Sequence, residues 1–284
     1  MLKRQTSGSV ICTSCGVLVG VNDDRCYNCG RRNPGLWGFA PLLRQLGNDL
    51  GFTPFVIGTC IIVYALTLLF TINSQGAVGM RGIGFLSPST EALLIFGASG
   101  SVPVFGFGRW WTVLSATWLH GGVLHILFNM MALRQLAPAT ADLYGAGRMV
   151  IIYTAASIGG FVLSSVAGAY LPDLLILRGG RFTVGASASI SGLLGAMLYY
   201  GHRSGSSIAR TYATQNAIGL ILIGFLMPGI DNYAHLGGFG AGYLTGRVLD
   251  PLKPERGDHI AIALVCLAAS ILSIVASVLT IMLA

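Results

Sequence analysis

Long stretches without a charged residue constrain this chain more than any other feature. Runs free of Asp, Glu, Lys and Arg occupy residues 54–80, 110–133, 149–172, 182–202, 211–230, 232–246 and 259–284. A membrane-spanning helix needs about 20 mainly apolar residues, a length that every run except 232–246 reaches. The chain is 54% hydrophobic and 10% charged, whereas soluble domains carry roughly 25% charged residues. We therefore predict an all-α polytopic membrane protein.

We assign seven membrane spans to these runs, at residues 54–73, 117–136, 148–170, 185–201, 208–227, 231–249 and 259–282. Before the first span, four leucines between residues 42 and 50 recur at helical spacing beside Arg44 and Asp49. An apolar face flanked by charged residues is typical of a helix that lies on a membrane surface, and we predict such a helix here.

The 17 Lys and Arg residues are unevenly distributed. If the chain changes sides at each predicted span, thirteen lie on the side of the N-terminus, and the other side receives only Arg81, Arg109, Arg178 and Arg181. Basic residues accumulate in cytoplasmic loops, so we predict a cytoplasmic N-terminus and an external C-terminus. The net charge of +7 is therefore a topology signal, and we expect no nucleic-acid partner.

Four of the six cysteines form two Cys-x2-Cys knuckles near the N-terminus, at Cys12, Cys15, Cys26 and Cys29. This spacing is typical of a zinc ribbon, in which four thiolates bind zinc tetrahedrally and leave no open position. The alternatives are a pair of disulfides or a redox pair. A reducing cytoplasm favours zinc over disulfides, so we predict a structural zinc site. The sequence indicates no partner for this ribbon.

Two stretches, VGASASI at 184–190 and FGASGSV at 96–102, have the setting of an activated serine. Both serines, Ser187 and Ser99, lie on the external side of the predicted topology. Ser187 opens an apolar helix, whereas Ser99 lies in a long loop between two glycines, a composition that fixes no backbone direction. A nucleophile must be held within hydrogen-bond reach of its base, so we predict that Ser187 is the nucleophile.

His235 is the candidate base, because its helix and that of Ser187 present matching faces of small residues. These residues are Ala234, Gly238, Gly242 and Gly246 on one helix, and Ser187, Ser191 and Gly195 on the other. Small residues four apart let two helices approach closely, which would bring Ser187 within reach of His235. The alternative is that the two faces serve packing alone.

Three further polar residues lie near the same end of the predicted bundle. His125 and Asn129 are four residues apart and share a helical face, from which they could stabilise an oxyanion with the Ser187 N–H. His120 precedes His125 by five residues and points elsewhere. A metal site built from the histidines is the alternative, but the spacing of His120 and His125 does not suit a ligand pair on one helix.

At these residues the chain resembles the rhomboid family of intramembrane serine proteases. The resemblance covers roughly residues 50–250 and rests on the segments FLSPSTEALLIFGAS, RWWTVLSATWLHGGVLHILFNMMAL, VGASASISGLLGA and DNYAHLGGFGAG, in that order. It implies a six-helix core at 54–250 and a seventh transmembrane helix within 251–284. A zinc-ribbon-like domain at 1–35 and an amphipathic linker at 36–53 then precede the core.

The resemblance also implies roles for the polar residues. Ser187 would be the nucleophile and His235 the base, in a dyad that needs no aspartate. His125 and Asn129 match the family's oxyanion positions, and His120 matches its supporting histidine. Ser191 departs from the family's pattern, since relatives often place there an aromatic residue that stacks on the catalytic histidine, so we expect the His235 ring to be held less tightly.

The expected activity is hydrolysis of peptide bonds in or next to transmembrane helices, with no cofactor for catalysis. The expected substrates are single-span or polytopic membrane proteins, met within the lipid bilayer. We interpret the chain as a multi-pass protein of a bacterial cytoplasmic membrane, with its active site toward the outer side. The alternatives are an inactive homologue that binds membrane helices and a small transporter that uses the intramembrane histidines.

Overall fold

The described residues are mainly helical, with a small two-stranded sheet near the N-terminus. The computed structural model describes residues 4–13, 15–41, 45–79, 85–171, 179–227 and 229–283. Its described helices are α1 (Phe52–Gln75), α2 (Thr90–Phe96), α3 (Thr112–Ser115), α4 (Val123–Tyr144), α5 (Ala146–Tyr170), α6 (Ser187–Ser204), α7 (Ser207–Leu226), α8 (Asn232–Leu249) and α9 (Gly257–Met282). The helices α1 and α4 to α9 correspond to the seven predicted spans, so the predicted all-α fold is confirmed.

Length and composition alone identify only some of these helices as membrane spans. Among the described residues, α1, α5 and α9 are long and apolar enough to cross a membrane. A fourth candidate appears if α3 and the turn after it are joined to α4 as one bent span. The helices α6, α7 and α8 contain glycine, hydroxyl and basic residues that lower their apolar character.

The second predicted span begins later than expected. Residues 117–122, which were assigned to it, form the end of a 3-10 turn and an irregular segment, and the helix α4 begins at Val123. Between Thr112–Trp118 and Val123–Tyr144 the chain bends by 94°. The run of apolar residues is continuous across this bend, but Gly121 and Gly122 interrupt the helix, since glycine is a poor helix former.

The centre of the bundle is formed by α5, α6 and α8, which pack on one another through small residues. A Cβ atom added at Gly192 of α6 would overlap Ala156 of α5, and one added at Gly242 of α8 would overlap the backbone of Gly192. A Cβ at Gly159 of α5 would lie 3.2 Å from the carbonyl oxygen of Gly237. The three helix backbones are therefore closer together than larger side chains would allow, as the predicted repeat of small residues requires.

The segment before α1 differs in part from the predicted surface helix. Leu36–Gly38 form a 3-10 turn and residues 40–41 are helical, but residues 45–50 form further turns. Leu42, Leu43 and Arg44, on which that prediction partly depends, lie outside the described residues, as do Lys3, Arg81 and Arg178 of the topology prediction. Leu50 has φ +52 and Gly51 has φ +78, so the backbone leaves helical geometry directly before α1.

The N-terminal sheet has two short antiparallel strands, β1 (Ser9–Ile11) and β2 (Leu18–Gly20), with Val10 opposite Val19. These two valines are buried together with Val21, Cys12 and Cys26. Such a core is too small to stabilise a domain alone, because domains below about 40 residues usually need a metal, a disulfide or a partner.

Candidate active site

Ser187 is the first residue of α6, and hydrogen bonds fix the path of the loop before it. Gly185 has φ +129, a conformation that favours glycine, and its N–H donates to the Ala116 carbonyl at 2.9 Å. Thr183 exchanges two backbone hydrogen bonds with Ser99, of 3.0 and 2.8 Å. Ser187 therefore lies, partly exposed, at a helix N-terminus, where backbone N–H groups without intrahelical partners favour negative charge.

The structure brings Ser187 and His235 together. His235 Nε2 lies 2.9 Å from Ser187 Oγ, which is hydrogen-bonding distance. His235 lies in the first turn of α8 and is 4% exposed. Its other ring nitrogen, Nδ1, has no hydrogen-bond partner among the described residues. The two side chains can therefore exchange a proton, and no described carboxylate orients the ring.

Close contact between α6 and α8 sets the distance between these two side chains. Gly238 lies one turn after His235, and a Cβ atom there would overlap the carbonyl oxygen of Ala188, the residue after Ser187. Ala234 and Ala188 are also buried in one cluster, together with Val113, Ala116 and Phe161. Because serine has a short side chain, the hydroxyl can reach the imidazole only if the two backbones touch at this level.

Asp231 caps α8 instead of contacting the histidine ring. Its carboxylate accepts a hydrogen bond from the Ala234 N–H at 3.0 Å and another from the Ser164 hydroxyl of α5. Sequence reasoning overlooked Ser164. The signal in the sequence was the need of the partly buried Asp231 carboxylate for a nearby hydrogen-bond donor, because an unpaired charge is costly to bury.

His125 and Asn129 lie on one face of α4, in line with their spacing. A Cβ atom at Gly185 would lie 2.6 Å from His125 Nε2 and 3.7 Å from Ser187 Oγ, so the imidazole borders the loop that presents the serine. The Asn129 side-chain amide donates to the His125 carbonyl at 2.8 Å. One N–H of the Asn129 amide is therefore engaged with its own helix, and the second N–H can donate to a ligand.

His120 is completely buried beside His125. The two rings meet edge to face, with centroids 5.2 Å apart. Neither ring nitrogen of His120 has a hydrogen-bond partner among the described residues. His120 therefore meets the candidate site through its contact with the His125 ring.

Ser99, the other candidate nucleophile, lies in an ordered position rather than in a loop without a fixed direction. Its backbone N–H and its carbonyl both form hydrogen bonds with Thr183, and the residue is fully buried. Its hydroxyl accepts a hydrogen bond from the Thr112 hydroxyl at 3.3 Å. The expectation that its backbone lacks a fixed direction was wrong, because composition alone does not reveal the pairing with a strand-like segment more than 80 residues later.

The position next to the histidine is occupied by Ser191, whose hydroxyl donates to the Ser187 carbonyl at 2.8 Å. A cavity of about 230 Å³ adjoins it between α6, α7 and α8. The lining includes Ser191, Leu194, Ile218, His235, Leu236 and Phe239. Residue 191 therefore provides no aromatic ring that could stack on the His235 ring, in line with the sequence.

The four N-terminal cysteines form a cluster that can hold a metal ion. Their sulfur atoms all lie within 4.8 Å of one another, with Cys12 and Cys29 3.8 Å apart and Cys15 and Cys26 3.5 Å apart. Tetrahedral zinc with Zn–S bonds of about 2.3 Å needs sulfur atoms about 3.8 Å apart. The cysteines are free thiols, so the cluster fits the predicted zinc ribbon.

Local geometry prepares this cluster for a cation. Gly16 and Gly30, which follow the knuckles, have φ +73 and +72, as tight turns require. Burial opposes ionisation of Cys15, but hydrogen bonds from the Val17 backbone, the Asn28 side chain and neighbouring cysteines outweigh it and lower the pKa of Cys15 to about 6. The lowered pKa favours the Cys15 thiolate, which is the form that binds zinc.

Comparison with known proteins places this architecture in a family. A family model of the Rhomboid domain matches residues 107–251, about half of the chain. The chain is 35% identical over 190 residues to Rhomboid protease GluP of Bacillus subtilis, and 35% identical over 176 residues to RHOMBOID-like protein 4 of Arabidopsis thaliana. These alignments cover 65% and 61% of this chain but only 35% and 42% of those proteins, so the chain spans less than half of their length.

A third relative is closer in length. The chain is 30% identical over 153 residues to Putative rhomboid protease YdcA of Bacillus subtilis, in an alignment that covers 52% of this chain and 72% of that protein. The region matched by the family model contains α4 to α8 and both Ser187 and His235. Together with the apolar helices, this match shows an integral, multi-pass membrane protein, and the chain belongs to the rhomboid family.

Proposed function

We propose that this protein is an intramembrane serine endopeptidase that cleaves peptide bonds in or next to transmembrane helices. The observation that carries the proposal is the 2.9 Å contact between Ser187 Oγ and His235 Nε2 inside the helix bundle. Two relatives named as rhomboid proteases support a protease in general. An inactive homologue that binds helices is less favoured, because it has no need for a serine within reach of a buried imidazole.

In the proposed mechanism, His235 Nε2 removes the proton of the Ser187 hydroxyl as the oxygen attacks the scissile carbonyl. The protonated imidazole then donates that proton to the leaving amine, and an acyl-enzyme remains. A water molecule, activated by the same histidine, releases the acyl product and restores the serine. We propose that no cofactor takes part in these steps.

Negative charge on the carbonyl oxygen must be stabilised as the tetrahedral intermediate forms. We propose the Ser187 backbone N–H at the start of α6 as one donor, with His125 and Asn129 as side-chain donors. His125 borders the loop before Ser187, and Asn129 has a second amide N–H beside the one that bonds to the His125 carbonyl. His120 would support His125 through their ring contact.

The proposed substrates are single-span or polytopic membrane proteins that reach the site from the lipid. A helix hides its carbonyl groups in hydrogen bonds, so cleavage requires local unwinding of the substrate. The distribution of basic residues supports a cytoplasmic N-terminus and an active site at the outer side of a bacterial cytoplasmic membrane.

We propose that residues 1–35 form a ribbon with one structural zinc bound by the four cysteines. The segment 36–53 would link it to a catalytic core at 54–250, and residues 251–284 would supply the added seventh helix. The ribbon is small, and bound zinc would contribute directly to its folding free energy.

The decisive experiment compares the parent with three variants in detergent, using a single-span model substrate and a fluorophosphonate probe. Ser187→Ala and His235→Ala should abolish cleavage while the protein stays folded, and Ser187→Ala should also abolish labelling. Ser99→Ala is the matched control, because Ser99 lies on the same side of the bundle but bonds to Thr112. Its activity should stay within a few-fold of the parent. Labelling that persists in Ser187→Ala but disappears in Ser99→Ala would reverse the assignment.

A further inference from the structure

The seventh helix, α9, carries a narrow polar face on an otherwise apolar surface. Ser270, Ser273 and Ser277 are 3%, 4% and 0% exposed, whereas its other faces carry large exposed apolar residues. The first two hydroxyls donate to carbonyls of their own helix, those of Cys266 and Ser270. Ser277 differs, because its hydroxyl accepts a hydrogen bond from another part of the chain.

The partner of Ser277 lies in the connection between α1 and α4. The indole N–H of Trp111 donates to Ser277 Oγ at 3.1 Å. Arg109, two residues earlier, donates to the Ser277 carbonyl at 2.8 Å and to the Leu94 carbonyl of α2 at 2.9 Å. The Leu94 carbonyl lies in the last turn of α2, where a cation is favoured by the helix dipole. We call Arg109, Trp111 and Ser277 the α9 contact.

A third interaction joins α9 to this connection without a long side chain. Gly97 has φ +105, and a Cβ atom there would lie 2.6 Å from Ser277 Oγ and would also overlap Ser115. The Ser115 hydroxyl donates to the Gly97 carbonyl at 2.7 Å. Ser277 therefore packs directly on Gly97, the residue that follows α2.

The same connection contacts the loop that presents Ser187. Its residue Ala116 accepts the hydrogen bond of Gly185, two residues before Ser187. Its residue Ser99 forms the backbone pair with Thr183. Only four residues lie between Trp111, in the α9 contact, and Ala116, which bonds to the nucleophile loop, and these four residues form the short helix α3.

We propose that α9 positions the nucleophile through this connection. Ser277, Arg109 and Trp111 hold residues 109–118 in place, and those residues in turn fix the backbone before Ser187. They are positioning residues, since none of them contacts the dyad. This inference rests on the proposed function of Ser187, and it assigns a catalytic purpose to a helix that lies outside the matched Rhomboid domain.

The test compares substitutions at Ser277 with the same substitutions at Ser273, a second buried serine on α9. Ser277→Leu should drive a bulky side chain into Gly97 and Ser115, and we expect a loss of about 10²-fold in kcat and in the fluorophosphonate labelling rate, since a misplacement of about 1 Å can cost that much. KM should change by less than about three-fold. Ser273→Leu, one turn earlier, is the control and should retain the labelling rate per folded molecule.

Three variants with smaller side chains cover the case in which the leucine variants do not fold. Ser277→Ala removes the acceptor of the Trp111 indole and should slow labelling about five-fold, as the loss of one hydrogen bond predicts. Ser277→Thr keeps a hydroxyl and should restore most of the rate, and Ser273→Ala should match the parent.

The outcomes separate the two proposals. Equal labelling rates for the Ser277 variants and the parent, or equal losses at Ser273 and Ser277, would overturn the positioning role while leaving the serine protease intact. A parent protein whose Ser187 is not labelled at all would refute the proposed function, and this inference with it.

Discussion

The substitution Gly238→Ala tests whether backbone contact between α6 and α8 sets the catalytic geometry. The added methyl group would overlap the Ala188 carbonyl oxygen and lie 2.8 Å from its carbon. Ordinary contacts between heavy atoms are about 3.5 Å, so the two helices must separate locally by about 1 Å. Backbone atoms cannot rotate away as a flexible side chain can, and the displacement therefore passes to the neighbouring residues.

The magnitude of the effect follows from the position of the dyad. Ser187 directly precedes Ala188, and His235 lies one turn before Gly238, so a separation of about 1 Å would stretch the 2.9 Å contact beyond hydrogen-bond range. Misplacement of this size costs roughly 10²-fold in rate. Overpacking should also lower the free energy of unfolding by about 1–3 kcal/mol.

The matched control is Gly240→Ala on the same helix, because a Cβ atom at Gly240 meets no atom within 4 Å. Alanine is a better helix former by about 1 kcal/mol, so this variant should be as stable as the parent or slightly more stable, with unchanged activity. Cleavage of the single-span substrate and the fluorophosphonate labelling rate would be measured for both variants, normalised to folded protein. If Gly238→Ala retained activity within three-fold of Gly240→Ala, close helix contact would not be what sets the dyad geometry.

Three further predictions concern the oxyanion, the metal and the substrate. Asn129→Ala should lower kcat by about 10²–10³-fold through loss of one oxyanion donor, and a change below three-fold would remove Asn129 from that role. Metal analysis should return one zinc per chain, and a chelator that strips it should leave labelling of Ser187 within two-fold; loss of labelling together with the zinc would contradict metal-free catalysis. Replacing Gly, Ala, Ser or Pro near the substrate's cleavage site by leucine should slow cleavage, because leucine stabilises the helix relative to Gly, Ser or Pro, and its bulk should hinder entry where it replaces Ala. Equal cleavage rates for stable and unstable substrate helices would contradict this prediction.

The helices were predictable because the lipid environment leaves few alternatives. A chain segment in a bilayer must satisfy its own backbone hydrogen bonds, so a charge-free run of sufficient length implies a helix. The start of α4 was placed too early, since hydropathy does not distinguish a helix from the buried 3-10 turn at Ala116–Trp118. The turns at residues 45–50, within the predicted surface helix, were not foreseen, because leucine spacing does not reveal the positive φ of Leu50.

Contacts between distant segments were harder to predict from the sequence. In the sequence, Arg109 and Trp111 have no feature that sets them apart from other residues of a predicted external loop. In the structure, both donate hydrogen bonds to Ser277, more than 160 residues later. No local pattern predicts such a pairing, because three small hydroxyl residues on an apolar helix are compatible with many partners. The cysteine knuckles are the opposite case, since their spacing alone predicted a cluster whose sulfur atoms all lie within 4.8 Å.

The choice between the two serines shows why local motifs do not identify a nucleophile. The stretch around Ser99 has the more literal small-residue pattern, but its backbone pairs with Thr183 and its hydroxyl bonds to Thr112. Ser187 lies at a helix start, where the neighbouring helix touches the backbone of the next residue. A serine side chain extends only one bond beyond Cβ, so it can meet a histidine of another helix only where glycine and alanine let the backbones touch. In lipid, where two apolar helices gain little from contact as such, that close approach depends on small residues, and the glycine repeat of α8 is therefore as necessary to the proposed chemistry as His235 itself.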